Sequence, residues 1–192
     1  MLESLIIASN NSHKIEEIKA VLADRFNLLS LEEIGYKEEI PETGSTFIEN
    51  AIIKARTIYN KFNKNCFADD SGLEVHALNN EPGVYSARYA GEPVNHEKNI
   101  DKLLQNLEGV ENRSARFVTV IALILDGKEY IFEGEVRGKI ILERRGTEGF
   151  GYDPVFIPEH ENRTFAEMSF TEKNKHSHRA NALEKLSLYF KN

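Results

Sequence analysis

A short apolar run, Leu5-Ile6-Ile7-Ala8, gives way to the polar cluster Ser9-Asn10-Asn11-Ser12, after which Ile15, Ile18, Val21 and Leu22 recur at helical spacing. Consecutive apolar residues without alternation suit a strand buried on both faces, and the period that follows is that of an amphipathic helix. Strand, polar loop and helix form the unit from which helix-covered sheets are built, so this opening commits the chain to a layered fold. Leu28-Leu29-Ser30-Leu31 reads as a second strand, followed by an acidic loop to Glu42. Thr46-Phe47-Ile48-Glu49 has the spacing of a capping box, and the helix after it carries Ala51, Ile52, Ala55, Ile58, Tyr59 and Phe62 on one broad face.

The strand run Cys66-Phe67-Ala68 comes next, then Leu73 to Ala77, a turn at Asn79 to Gly83, and a helix capped by Asn95 that uses Ile100, Leu103, Leu104 and Leu107. Phe117 to Leu125 is strand-like, Asp126-Gly127 is a hairpin signal, and Tyr130 to Val136 continues the pattern. Gly146 to Gly151 is a glycine-rich loop before a short strand, Val155-Phe156-Ile157. Ser169 and Ser177 have the look of N-caps, and Ala180, Leu183, Leu186 and Phe190 line a closing helix. Neither a repeat nor a linker interrupts the 192 residues, so the expectation is a single α/β domain, residues 1–192, with a mixed central sheet and helices on its faces.

The formal net charge of −7 argues against a broad nucleic-acid or anionic-membrane surface. A small cationic pocket remains compatible with it. The lone cysteine, Cys66, lies in an apolar run and reads as core filler in a reducing compartment. With neither a signal-peptide pattern at the start nor an apolar run of about 18 residues, the expected location is the cytoplasm.

Chemistry concentrates in a few places. The first helix start offers free N–H groups and a partial positive charge, and Lys14 sits in its first turn, where the dipole disfavours a cation. A bound anion would resolve that conflict; a solvated surface lysine is the other reading. Glu42, Asp69 and Asp70 are hard oxygen donors of the kind Mg²⁺ takes together with waters and phosphate oxygens. Asp69-Asp70-Ser71-Gly72 is equally readable as a turn at a strand tip, with Asp capping nearby N–H groups. Lys173, Lys175, His176, His178 and Arg179 form a late cationic stretch, either a solvated run or a second anion-binding helix start. Gly149-Phe150-Gly151-Tyr152-Asp153-Pro154 joins glycines that admit close backbone approach to aromatics that can stack on a base, or it is a turn with two core aromatics. Cationic helix starts, paired carboxylates and a glycine-aromatic loop together describe a metal–nucleotide site.

The stretches ASNNSHKIEEI, ETGSTFIENAIIKA, FADDSGLEV, PGVYSARYAG, GFGYDPVF and EKNKHSHRANAL, in that order from Ala8 to Leu183, resemble the inosine triphosphate pyrophosphatase-like family, and most closely its bacterial XTP/dITP diphosphatases. Asn79-Asn80 stands where the family often has Gly-Gly. The resemblance implies an elongated α/β fold with a substrate cleft between two lobes, a homodimer, and Mg²⁺-dependent hydrolysis of ITP, dITP and XTP to monophosphate and pyrophosphate. It implies that Ser9, Asn10, Asn11, Ser12, His13 and Lys14 hold the triphosphate, with Lys54 reaching the phosphates. Glu42 and Asp70 would bind the metal, Asp70 being also the general base. Ser71 would touch substrate, and Phe150, Gly151, Tyr152, Asp153, Lys173, His178 and Arg179 would form the base and phosphate pocket. A pyrophosphatase of the Maf type or a sugar-phosphate phosphatase is the enzymatic alternative, and a nucleotide-binding module without turnover the other.

Overall fold

The computed structural model describes residues 3–191. Six strands form one sheet, ordered β2-β1-β3-β4-β5-β6. They are β1 (Glu3–Ile7), β2 (Phe26–Ser30), β3 (Cys66–Val75), β4 (Ser114–Leu125), β5 (Lys128–Ile140) and β6 (Phe156–Pro158). β1 pairs in parallel with both β2 and β3, whereas β5 and β6 are antiparallel, so the sheet is mixed as expected. Five α-helices accompany it among the described residues: α1 (Ser12–Leu22), α2 (Phe47–Phe62), α3 (His96–Asn106), α4 (Phe170–His176) and α5 (His178–Tyr189). The chain separates into two compact units, one of Met1–Asp70, Thr119–Gly134 and Arg179–Asn192, the other of Ser71–Val118 and Glu135–His178.

Local chemistry accounts for the boundaries. The Asn11 side chain caps α1 by accepting from the Lys14 N–H, and Asn95 caps α3 in the same way through Lys98. Thr46 and Glu49 close the expected capping box on α2, and Ser169 with Glu172 does so on α4. Asp126 and Gly127 both have positive φ, as a two-residue hairpin between right-twisted strands requires. Asn79 and Asn80 likewise lie in the left-handed region, at φ 51° and 67°. Asparagine is among the few residues that tolerate this, so the chain turns here without glycine.

One expectation needs correction. Cys66-Ala68 and Leu73-Ala77 are not separate runs broken by a turn at Asp69–Gly72. Cys66 to Val75 form one ten-residue strand, β3, and His76 and Ala77 fall in the short 3-10 turn that follows, His76–Leu78. An extended backbone sends neighbouring side chains to opposite faces, which already separates adjacent carboxylates without a turn. Ser177, expected as an N-cap, stands between two helices: its N–H donates to the Lys173 carbonyl at the end of α4, and α5 begins at the next residue, His178.

In the first unit one core joins Leu5, Ile7 and Phe67 from the sheet to Ile18 and Leu22 of α1 and Leu183 and Leu186 of α5. Phe67 therefore points toward α1 and α5. On the opposite parity Cys66 donates its thiol hydrogen to the Ala55 carbonyl of α2, and burial pushes the thiol pKa up to about 12. Cys66 is inert core filler, as its apolar setting predicted. The second unit has its own core, where Leu73 and Val75 meet Ile100 and Leu103 of α3, its C-cap Leu107 and the ring cluster of Phe117, Phe156 and Phe165.

Candidate active site

In the first unit the alternation of β3 distributes two carboxylates to two sets of cations. Asp69 shares the parity of Phe67 and so faces α1 and α5. Its buried carboxylate lies 3.1 Å from the Lys14 ammonium and accepts from Nε and Nη2 of Arg179 at 3.3 Å each. Arg179 is 1% exposed and donates its remaining arm to Glu17, one turn along α1 from Lys14. The dry surroundings work against both cations. For Lys14 they prevail, helped by the nearby Lys54 and Arg179 charges, and its pKa is lowered. For Arg179 the carboxylates of Asp69 and Glu17 outweigh burial and the pKa is raised.

Asp70 shares the parity of Cys66 and faces α2. It accepts from the Lys54 ammonium at 3.3 Å and from the Asn50 amide at 3.2 Å. Lys54 also donates to Glu42, so Glu42 and Asp70 converge on one cation. Burial raises the Asp70 pKa, Lys54 and Lys14 pull it down, and Glu42 adds to the rise. Burial likewise opposes the Lys54 charge, yet Asp70 and Glu42 overcome it and its pKa goes up. Two carboxylates from distant stretches of chain, Glu42 and Asp70, thus meet on a single ammonium. In the loop ahead of α1 Asn10 and Asn11 are exposed and Ser9 half-buried, and in the capped first turn Ser12 and His13 are exposed and Lys14 half-buried.

In the second unit Asp153 organises the glycine-aromatic loop. Its Oδ2 accepts from the Phe150 N–H at 2.9 Å and from the Lys173 ammonium at 2.6 Å. Lys173 is buried, with its Nζ 4.8 Å from the Phe150 ring centroid and 5.8 Å from that of Phe165. Gly151 and the Phe150 ring are half-buried, and Ser71 lies half-buried in β3. His178 is stacked on Phe117, with centroids 4.8 Å apart. Tyr152 belongs to the core, where its hydroxyl donates to the Ser86 carbonyl at 2.9 Å.

Gly149 has φ 75°, and a Cβ there would sit 2.1 Å from Asp153 Oδ2. Gly149→Ala is therefore expected to combine backbone strain with displacement of the carboxylate that carries Lys173. The cost should be about 1–3 kcal/mol in urea unfolding. An unchanged midpoint would show that the loop adapts freely.

Lys14 is half-buried and Lys173 and Arg179 are buried, each against an acid, which removes the solvated-surface reading of these three. Two members of the first cluster escaped the sequence reading, Glu17 and Asn50. Glu17 is charged yet lies beside the apolar position Ile18 on α1, and Asn50 joins Lys54 as a polar residue on the buried face of α2, at zero exposure. A polar residue on a buried helix face is the signal that could have found them.

Comparison with known proteins agrees with this architecture. A chain from Flavobacterium johnsoniae called dITP/XTP pyrophosphatase is 53% identical over 182 residues, covering 95% of each chain. The structure called that of the Staphylococcus aureus Ham1 protein superposes with a TM-score of 0.91 at 43% identity, covering 98% of both chains. A HAM1 protein from Coxiella burnetii gives 0.91 at 44% identity, covering 100% of this chain and 99% of its own. The Ham1 family model matches residues 5–189. The resemblance read from the sequence is borne out across nearly the whole length: the chain belongs to the Ham1 family.

Proposed function

We propose that the chain hydrolyses the non-standard purine nucleotides ITP, dITP and XTP to the monophosphate and pyrophosphate. The observation that carries this is the buried alternation of cations and carboxylates around Asp69 and Asp70. A pure polyanion binder gains nothing from acids among its lysines, whereas a site for a metal–triphosphate complex needs both. The relative from Flavobacterium johnsoniae, called dITP/XTP pyrophosphatase, supports the substrate class.

In this reading the Ser9–Lys14 loop, Lys54 and Arg179 bind the triphosphate. Asp70 takes the proton from a water as its oxygen bonds to the α-phosphorus and the bond from that phosphorus to the bridging oxygen breaks, releasing pyrophosphate. A carboxylate whose pKa is raised by burial is better matched to proton abstraction near neutral pH than an ordinary one. Lys14 and Lys54 then hold the leaving group. Glu42 and Asp70 fit Mg²⁺, which prefers one or two carboxylates plus waters and phosphates; when bound it supplies neutralisation of phosphate charge. Phe150, Gly151, Tyr152, Asp153, Lys173, His178 and Ser71 serve the base and its adjoining atoms. A homodimer in the cytoplasm completes the proposal, and sedimentation velocity decides the first part.

A substrate panel with product identification tests the activity. dITP and XTP should exceed ATP in kcat/KM by about 10⁴-fold, because a site built to hydrogen-bond the 6-keto edge rejects a 6-amino group strongly. Comparable values for dITP and ATP, or preferential turnover of modified pyrimidine nucleotides, would overturn the specificity. Release of inorganic phosphate alone would make the protein a phosphatase instead.

A further inference from the structure

Asn50 occupies a place that the reaction scheme leaves unused. It is completely buried in the first turn of α2 and uses both ends of its amide. Nδ2 donates to Asp70 Oδ2 at 3.2 Å, and Oδ1 accepts from the Gly44 N–H at 2.8 Å. Gly44 lies two residues beyond Glu42 in the loop leading to α2. Glu42 and Asp70 come from distant stretches of chain, yet one rigid amide touches the second directly and the loop of the first. Gly44 itself has no room for a side chain: a Cβ there would lie 2.6 Å from Glu49 Cβ and 2.7 Å from Asn50 Oδ1. The loop is therefore pressed against the amide as well as bonded to it.

We propose that Asn50 is a positioning residue that sets Glu42 against Asp70, so that the two carboxylates present a preformed divalent-cation site before substrate arrives. The inference rests on the reading of Glu42 and Asp70 as the metal pair. Its physical basis is that groups which orient ligating carboxylates act on metal affinity nearly as ligands do, a loss typically weakening binding or activity by about 10–100-fold. Lys54 cannot substitute for Asn50. An ammonium on a flexible stem draws both carboxylates inward without fixing their planes, whereas the short amide of Asn50 has one orientation that satisfies both partners.

The test compares Asn50→Ala, Gly44→Ala, the double variant and Asn50→Asp with the wild type. Mn²⁺ binding without nucleotide is read by electron paramagnetic resonance, and hydrogen exchange is followed through residues 40–45. Asn50→Ala should weaken Mn²⁺ binding by about tenfold or more and speed exchange in that loop. Gly44→Ala should do the same by pushing the loop off the amide. The double variant should be no worse than the worse single, because one device has been broken twice. Asn50→Asp keeps the shape and the acceptor for Gly44 but turns an oxygen toward Asp70. It should leave loop exchange as in the wild type while dITP turnover falls about tenfold or more and KM stays within about twofold. Wild-type Mn²⁺ affinity and loop exchange in Asn50→Ala, additive losses in the double variant, or full turnover in Asn50→Asp would each overturn the inference. A wild type that hydrolyses none of the nucleotides would sink the proposed activity, while the metal-binding and exchange measurements would still decide the role of Asn50.

Discussion

Asp70→Asn is expected to lose turnover almost completely while melting at the same temperature as the wild type or slightly above it. The amide keeps the shape of the side chain but cannot take a proton from water, and general-base catalysis alone is typically worth about 10²–10⁴-fold. The loss of the negative charge and of one of the two oxygens of the proposed ligand adds to that. Stability moves the other way because burial raises the Asp70 pKa, so the ionised carboxylate works against folding at neutral pH. Lys54 keeps Glu42 as its partner after the change. Steady-state kinetics across a Mg²⁺ titration, with melting curves in chelator, separate the two effects. Near wild-type kcat at saturating Mg²⁺ would remove Asp70 from catalysis.

Arg179→Ala should show the opposite balance, with a large loss of stability alongside lost activity. Removing the guanidinium strips two buried carboxylates, Asp69 and Glu17, of a shared partner. Breaking a buried ion pair from one side typically costs about 3–5 kcal/mol, a sizeable part of the about 5–15 kcal/mol that holds a domain folded. Arg179→Lys should recover only part, since a single ammonium cannot reproduce a planar fork with separate arms for two acids. Adding Glu17→Gln to Arg179→Ala should restore some of the loss by removing one stranded charge. Urea unfolding measures all three. A cost under about 1 kcal/mol for Arg179→Ala would mean the network is as loosely held as a surface pair.

The parts of this fold that rest on local rules were readable in advance. The Thr46–Glu49 capping box, the Asn95 cap, the Asp126-Gly127 hairpin and the strand–loop–helix opening each follow from residues within about four positions of one another. What escaped depends on tertiary partners. Asp69-Asp70-Ser71-Gly72 has the composition of a turn, and only Lys14, Arg179, Asn50 and Lys54, brought in from three helices, make an extended strand tolerable there. Propensity for a strand is largely a statement about neighbours, and these neighbours are remote in sequence. The same holds at the site. Lys14 and Lys173 were recognisable as cations near helix ends, but their burial against Asp69 and Asp153 was not. Glu17 and Asn50 carry no motif of their own and become visible only through what they touch.

The alternation along β3 makes the two adjacent acids different kinds of position. A change of residue at Asp69 or Asp70 alters one set of partners and leaves the other in place. A change of length between β1's partner residues and the acids does something else: losing Ala68 would turn each carboxylate toward the face that holds the other's cations while Phe67 keeps its place beside β1. The segment is accordingly open to substitution on either side independently, yet closed to insertion and deletion. Drift in this stretch has to proceed by exchange of residues at constant spacing, which ties the count of residues ahead of the acids to their chemistry.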